Sequence, residues 1–173
     1  GDSFRSINWK AFAKTGDLMV NEKTRDAVTD VFIFLDTRDV SRIGTVLKNP
    51  LEMGTVAAAS VSNYFIRRRD SVALVTYGDK MDFLPAETGD KQNYKILSQL
   101  AAVEAKGSMP LQAVTNAMSP RMSRGSPVFV ISSLEGDGTT LPAIRNLAAK
   151  GHAVVVLSPS SIDLERLVSR IPR

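Results

Sequence analysis

The run Val31-Phe32-Ile33-Phe34-Leu35 is apolar without a break, then stops at Asp36, and a mostly polar stretch, Thr37-Arg38-Asp39-Val40-Ser41, follows. A strand with one wet face alternates apolar and polar residues. A continuous run of β-branched and aromatic residues reads as a strand buried on both faces. Such strands belong to parallel sheets covered by helices on either side. A carboxylate at the C-terminal end then sits at the rim where open α/β sheets place their ligand sites.

The segments after this strand alternate in type. Pro50 is placed to open a helix at its favoured first turn, continued over Leu51–Arg68 with apolar residues at helical spacing. Within it, Ala57-Ala58-Ala59-Ser60 permits close approach to a sheet. Ser71–Tyr77 reads as a strand stopped by Gly78-Asp79, and Met81–Leu84 as a short hairpin partner. Helices are expected over Tyr94–Val103, Pro110–Met118 and Leu141–Ala149, the last stopped by Gly151. Pro127–Ser133 and His152–Leu157 read as strands. Ser161–Ile171 reads as a closing amphipathic helix, with Ser161 as N-cap and Asp163 in the first turn. Alternating strands and helices predict a mainly parallel sheet covered on both faces, with one short antiparallel edge strand. Residues 1–30 lack a sustained period and read as a lead-in segment, with a short strand at Leu18–Val20. Residues 31–173 form the single domain.

Bulk properties narrow the chemistry. The 173 residues suit one domain with a sizeable core. The chain has no cysteine, which excludes disulfides, thiolate metal sites and cysteine catalysis. A net charge of +4 is too small to argue for nucleic acid without an aromatic-basic platform. Arg67-Arg68-Arg69 fits the C-terminus of a helix, where cations complement the dipole. No apolar run is long enough to span a bilayer, so the chain itself is expected to be soluble.

No catalytic constellation emerges. Gly136-Asp137-Gly138-Thr139-Thr140-Leu141 has Leu141 where a dinucleotide fingerprint needs its third glycine, and reads as a turn with a helix start. His152, the only histidine, falls at the sheet edge opposite Asp36, which disfavours a Ser–His–Asp triad. The rim instead gathers Asp36, Ser108, Ser132-Ser133, Glu135 and Asp137, oxygen donors of the type that hold magnesium.

The chain resembles the von Willebrand factor A domain through Val31–Asp36, Val72–Asp79, the Gly107-Ser108 loop and Val128–Ser133. Gly1-Asp2-Ser3-Phe4-Arg5-Ser6-Ile7-Asn8-Trp9-Lys10-Ala11 is similar to the signature of the domain-of-unknown-function family fifty-eight, in which this stretch precedes a von Willebrand A-like domain. The resemblance implies a three-layer α/β/α, Rossmann-like fold and a metal-ion-dependent adhesion site at the rim. That site's pattern is D-x-S-x-S after the first strand, a threonine in a later loop and an aspartate after the fourth strand. Asp36 matches the first position, Ser108 stands at or near the threonine, and Ser133 stands at the last aspartate. Arg38 and Val40 replace the two serines. Arginine has no lone pair to donate and valine cannot ligate, so the site is expected to be degenerate. Arg38 is expected to pair with Asp36 or Asp39 and fill the site with its own charge. Asp39, Ser41, Glu135 and Asp137 are the donors most able to rescue a metal site.

The resemblance further implies a non-enzymatic protein-interaction module, with a MoxR-type AAA+ ATPase as partner and a membrane-anchored parent whose domain faces the cytoplasm. Its expected contact residues are Asp36, Arg38, Asp39, Ser41, Ser108, Glu135 and Asp137 at the rim. Arg5 and Trp9 form a second candidate surface, but the favoured reading is structural, with Trp9 packed against the end of the domain and Arg5 in an ion pair. The alternatives are a magnesium-dependent ligand-binding domain and an uncharacterised hydrolase.

Overall fold

The computed structural model describes residues 29–42 and 49–159. The lead-in segment with Arg5, Trp9 and the Leu18–Val20 strand, and the closing helix at 161–171, lie outside the described residues.

Among the described residues, five strands form one sheet in the order β3-β2-β1-β4-β5. β1 is Asp30–Asp36, β2 Ser71–Tyr77, β3 Met81–Glu87, β4 Val128–Ile131 and β5 Val154–Leu157. β1 runs parallel to both β2 and β4, β4 runs parallel to β5, and β3 returns antiparallel along β2. This is the mainly parallel sheet with an antiparallel edge that the sequence predicts. Among the described residues, four α-helices cover it: α1 (Pro50–Arg67), α2 (Asp90–Ala102), α3 (Leu111–Met118) and α4 (Thr140–Ala149).

The central position of β1 explains its composition. Val31, Ile33 and Leu35 face one core with Ala58, Val61 and Phe65 of α1 and Ile96 and Leu100 of α2. Phe32 and Phe34 face a second core with Leu111, Val114 and Met118 of α3 and Ala143 and Leu147 of α4. Burial on both sides removes the need for alternation. The small residues of α1 permit the close approach expected of them. A Cβ on Gly54 would come 2.7 Å from Leu35 Cδ1, and Ala58 is fully buried.

Several boundaries differ from the sequence reading, each for a physical reason. β3 continues to Glu87 through Pro85, because an edge strand tolerates a residue without an N–H. The β2–β3 register shifts between Val72 and Leu74. The fully buried Gln92 donates from Nε2 to the Val72 carbonyl at 2.7 Å and to the Pro85 carbonyl at 2.9 Å. That anchor lets α2 start at Asp90, a turn ahead of Tyr94. α3 starts at Leu111 with Pro110 as its cap residue. β4 stops at Ile131 and β5 starts at Val154, each two residues short of expectation. His152 is buried in the turn before β5, with Nδ1 2.9 Å from the Ser126 carbonyl.

Candidate functional site

β1 has β2 on one side and β4 on the other, and the chain crosses from one side to the other between β2 and β4. The C-terminal ends of β1 and β4 therefore flank the switch point of the sheet. Asp36 is paired with Tyr77 in the β1–β2 register. Leu35 is paired with Ile131, so the next position places Ser132 beside Asp36. Tyr77, Asp36 and Ser132 thus stand in one row across three strands.

The Asp36 carboxylate is fully engaged. Arg38 donates from Nε to Asp36 Oδ1 at 3.0 Å and from Nη2 to Oδ2 at 2.7 Å, a two-pronged pair. The Arg38 backbone N–H also donates to Oδ1 at 2.9 Å, and Ser132 Oγ donates to Oδ2 at 2.8 Å. Asp36 is 3% exposed and Arg38 is 2% exposed, so this is a desolvated ion pair. Arg38 Nη2 reaches on to the Glu135 carbonyl at 3.1 Å, and Nη1 lies 3.7 Å from Asp137 Oδ2. The guanidinium carbon is 5.8 Å from the centre of the Tyr77 ring. The hydrogen bond to Asp36 raises the Arg38 pKa above its ordinary value against the opposing effect of burial. Burial pushes the Tyr77 hydroxyl far up, with the Asp36 charge adding to it.

Asp137 closes the crevice from the β4–α4 loop. Its Oδ1 accepts from the Thr139 N–H at 2.8 Å and the Thr139 hydroxyl at 2.6 Å. Its Oδ2 accepts from the Leu111 N–H, at the start of α3, at 3.2 Å and from the Thr140 hydroxyl at 3.3 Å. Burial alone would raise its pKa. The bonds from Thr139, Leu111 and Thr140 outweigh it and hold the carboxyl below its ordinary value. A depressed folded-state pKa contributes stability that is complete above the unfolded value near 3.8 and lost as pH falls through the folded value. Asp137→Asn is therefore expected to cost about 1.5–3 kcal/mol at neutral pH. The gap from wild type should close in acid below that window. Urea unfolding of both proteins across pH 2–7 measures it, and a gap independent of pH would refute the assignment.

The rim loops are tied to one another. The Thr37 N–H donates to the Tyr77 carbonyl at 2.9 Å, Lys106 N–H to Thr37 at 2.8 Å, Asp39 N–H to Gly107 at 2.9 Å and Met109 N–H to Gly78 at 2.9 Å. Ser41 is buried and donates from Oγ to the Arg38 carbonyl at 2.5 Å, closing the short 3-10 helix Asp39–Arg42. Val40 meets the loop after β4, since a Cβ on Gly136 would come 2.7 Å from its Cγ1.

Of the residues singled out from sequence, Asp36, Arg38 and Asp137 come together, with Glu135 joining through its backbone. Arg38 takes Asp36 as its partner. The Asp39 carboxylate is exposed and lies 3.9 Å from Arg42. Ser108 is exposed on the 105–109 segment. The residue bonded to Asp36 is Ser132, one position before Ser133. Ser133 Oγ is buried without a hydrogen-bond partner among the described residues. Sequence reading also passed over Tyr77, Thr139 and Thr140. Counting register from the strand ends finds Tyr77 and selects Ser132, not Ser133, as the serine beside Asp36. Among the described residues, no group of three or more His, Asp or Glu side chains is arranged to hold a metal ion.

A five-stranded, mainly parallel sheet with one antiparallel edge, helices on both faces and an aspartate at the switch point defines a von Willebrand factor A-like domain. Solved structures agree. The conserved hypothetical protein BatB from Bacteroides thetaiotaomicron superposes with a TM-score of 0.61 at 19% identity, over 75% of this chain and 66% of that one. An aerotolerance-related membrane protein from Bacteroides fragilis NCTC 9343 gives 0.61 at 19% identity, over 75% and 67%. The SpRpn10 VWA domain gives 0.52 at 12% identity, over 85% and 84%. The chain spans just under two thirds of BatB. A search of curated proteins gave no match. The family model "Protein of unknown function DUF58" matches residues 1–165, and the chain belongs to that family. No helix among the described residues is long and apolar enough to cross a membrane.

Proposed function

We propose that this domain is a non-enzymatic protein-interaction module whose rim works without a divalent cation. The carrying observation is the buried Asp36–Arg38 pair. A cation at an adhesion-type site would need the Asp36 oxygens, and a guanidinium already spans both. Arg38 and Val40 contribute no lone pair, and Asp137 is committed to Thr139, Thr140 and Leu111. The residues present do not fit a bound metal. Arg38 supplies the positive charge from within the chain.

A hydrolase reading finds no support at the rim. Ser132 Oγ gives its hydrogen bond to Asp36, and Leu134 N–H donates to it at 3.0 Å. The Asp36 carboxylate it faces is held by Arg38, and the only histidine is engaged with Ser126 at the opposite edge, so among the described residues no free base stands beside the hydroxyl.

The surface around the buried pair suits contact with a protein. Asp39, Asp79, Asp82, Glu104 and Glu135 mix there with Arg42, Lys80 and Lys106. Several of these line an open cleft of about 450 Å³ beside Thr37 and Gln99. Polar, charged rims steer partners and set specificity. On the family resemblance, the partner is a MoxR-type AAA+ ATPase. The likeness to a membrane protein supports a membrane-anchored parent that presents this domain to the cytoplasm.

Two experiments test these readings separately. Calorimetric titration with magnesium and manganese is expected to show no binding at physiological concentrations. Micromolar binding abolished by Asp36→Ala would overturn the metal-free rim. Pull-down with the full-length protein, with and without ATP, is expected to recover the ATPase. Combining Asp39→Lys with Glu135→Lys should weaken recovery. Undiminished recovery by that variant would place the contact elsewhere.

A further inference from the structure

The edge of the sheet opposite the rim carries a different charge. α1 runs out in Arg67, Arg68 and Arg69 directly before β2. Arg121 and Arg124 precede β4, and Lys150 precedes β5. Because these strands are parallel, all six cations lie toward one pole. Strands β2 and β4 flank β1, roughly 10 Å apart at the usual strand spacing, so the cations follow one edge.

Some of them are occupied. Arg68 donates from Nη1 to the Tyr64 hydroxyl at 2.5 Å and lies 5.5 Å over that ring. Arg121 lies 5.6 Å over the Phe83 ring. Lys150 donates from Nζ to Ser119 Oγ at 2.8 Å. Arg67, Arg69 and Arg124 are exposed, and none forms an ion pair among the described residues. Among the described residues the same pole carries the acids Asp30 at the start of β1, Asp70, Glu87 and Asp90 at the start of α2, which leave the cations in excess. Asp70 is buried and accepts from the Thr29 N–H at 3.1 Å, and Glu87 is held by Lys95 at 3.0 Å.

Arg69 adds an independent observation. It stops α1 in the left-handed region, at φ +65°, with the Asp70 N–H closing back to Phe65 at 3.0 Å. Glycine is the residue that takes this position without steric cost. An arginine held here puts an exposed cation where the fold alone would favour glycine. Backbone strain of this kind points toward function.

We infer that this arginine pole docks on an anionic lipid surface. Lipid is favoured over other polyanions by the chain path. Thr29, the residue ahead of β1, lies at the same pole, where its carbonyl accepts from the Ser71 N–H at 3.0 Å. The chain therefore enters β1 at the arginine side. The inference rests on the proposed membrane anchor to this extent: it takes the basic pole as the face that meets the headgroups, with the rim facing away toward its partner. Juxtamembrane cations act cooperatively with such an anchor.

The test is sedimentation of the 173-residue chain with vesicles of phosphatidylcholine alone or mixed with phosphatidylglycerol. Binding is expected only to the anionic vesicles, and is expected to be abolished at about 1 M salt, where the screening length falls to about 3 Å. Each cation removed should weaken partition about fivefold, the equivalent of about 1 kcal/mol per charge. Arg69→Gly is the decisive variant, since it should bind more weakly while melting at or above the wild-type temperature. Arg67→Gln and Arg124→Gln should weaken binding similarly. Equal binding to both vesicle types, or undiminished binding by Arg69→Gly and Arg67→Gln, overturns the inference. So does displacement of the vesicles by equimolar duplex DNA, which would make the pole a nucleic-acid surface. Partner recovery by the rim is measured on residues at the other pole, so either proposal can fail without the other.

Discussion

Arg38→Ser is expected to destabilise the domain by about 3–5 kcal/mol, because it strands a buried carboxylate. Asp36 keeps its bonds from Ser132 Oγ and from the residue 38 backbone N–H, but loses the two charge-assisted bonds from the guanidinium. At roughly 2–4 °C per kcal/mol for a chain of this size, the melting point should fall by about 6–20 °C. The same substitution restores the first D-x-S of an adhesion-type site and removes the charge that repels a cation. Manganese or magnesium is therefore expected to recover part of the loss in the variant and to leave wild type unmoved. Saturation at a hundred times Kd corresponds to about 2.7 kcal/mol. Arg38→Lys serves as the control: it keeps a charge but lacks the planar fork, so it should fall between the two and show no metal response. Thermal melts of the three proteins with manganese or with EDTA decide the matter. A serine variant as stable as wild type would mean the pair does not hold the rim. A wild-type protein that gains stability with manganese would mean the guanidinium yields to metal.

How far the rim was legible in the sequence follows from the range of each interaction. The Asp36–Arg38 pair joins residues two apart just past a strand end, so local reasoning reached it. The strand Ser71–Tyr77 was readable because burial on both faces leaves the apolar run Val72–Val75 at its centre. Ser132 was harder. Its role depends on which of two adjacent serines shares a row with Asp36, and a register one residue out exchanges the faces. Only the pairing of Leu35 with Ile131 settles that phase. Gln92 was illegible for a related reason. It satisfies the Val72 carbonyl where the β2–β3 register shifts, and nothing in the local pattern announces such a shift. Asp137 was seen as a candidate metal donor. Its engagement by the first N–H of α3 required knowing that two helix starts, far apart in sequence, meet over the same crevice.

The tie between the 105–109 segment and the β2–β3 turn sets the second large effect. Gly107→Ala is expected to cost at least about 3 kcal/mol, combining a left-handed residue with overpacking. Gly107 has φ +82°, and an added Cβ would come 2.2 Å from Asp79 N and 2.3 Å from its Cα. Both neighbours are backbone atoms, so relief requires the segment to lift from the turn. Lifting breaks the bonds from Lys106 to Thr37, from Asp39 to Gly107 and from Met109 to Gly78. It also releases the loop that carries Arg38. Two other glycines separate the contributions. Gly89 has φ +89° and ψ 175°, an extended conformation open essentially to glycine alone, but nothing lies within 4 Å of its Cβ position, so Gly89→Ala should cost only that backbone strain, about 1–3 kcal/mol. Gly138 has no such neighbour and no positive φ, so Gly138→Ala should be neutral within about 0.5 kcal/mol. Urea unfolding of the three variants should rank them Gly107, Gly89, Gly138 from most to least damaging. Hydrogen exchange should show the amides of Asp39, Lys106 and Met109 losing protection in Gly107→Ala before those of β1. A Gly107 variant no worse than the Gly89 one would show that the segment moves aside freely. The rim would then be a mobile surface, not a rigid one held by Arg38 beneath it.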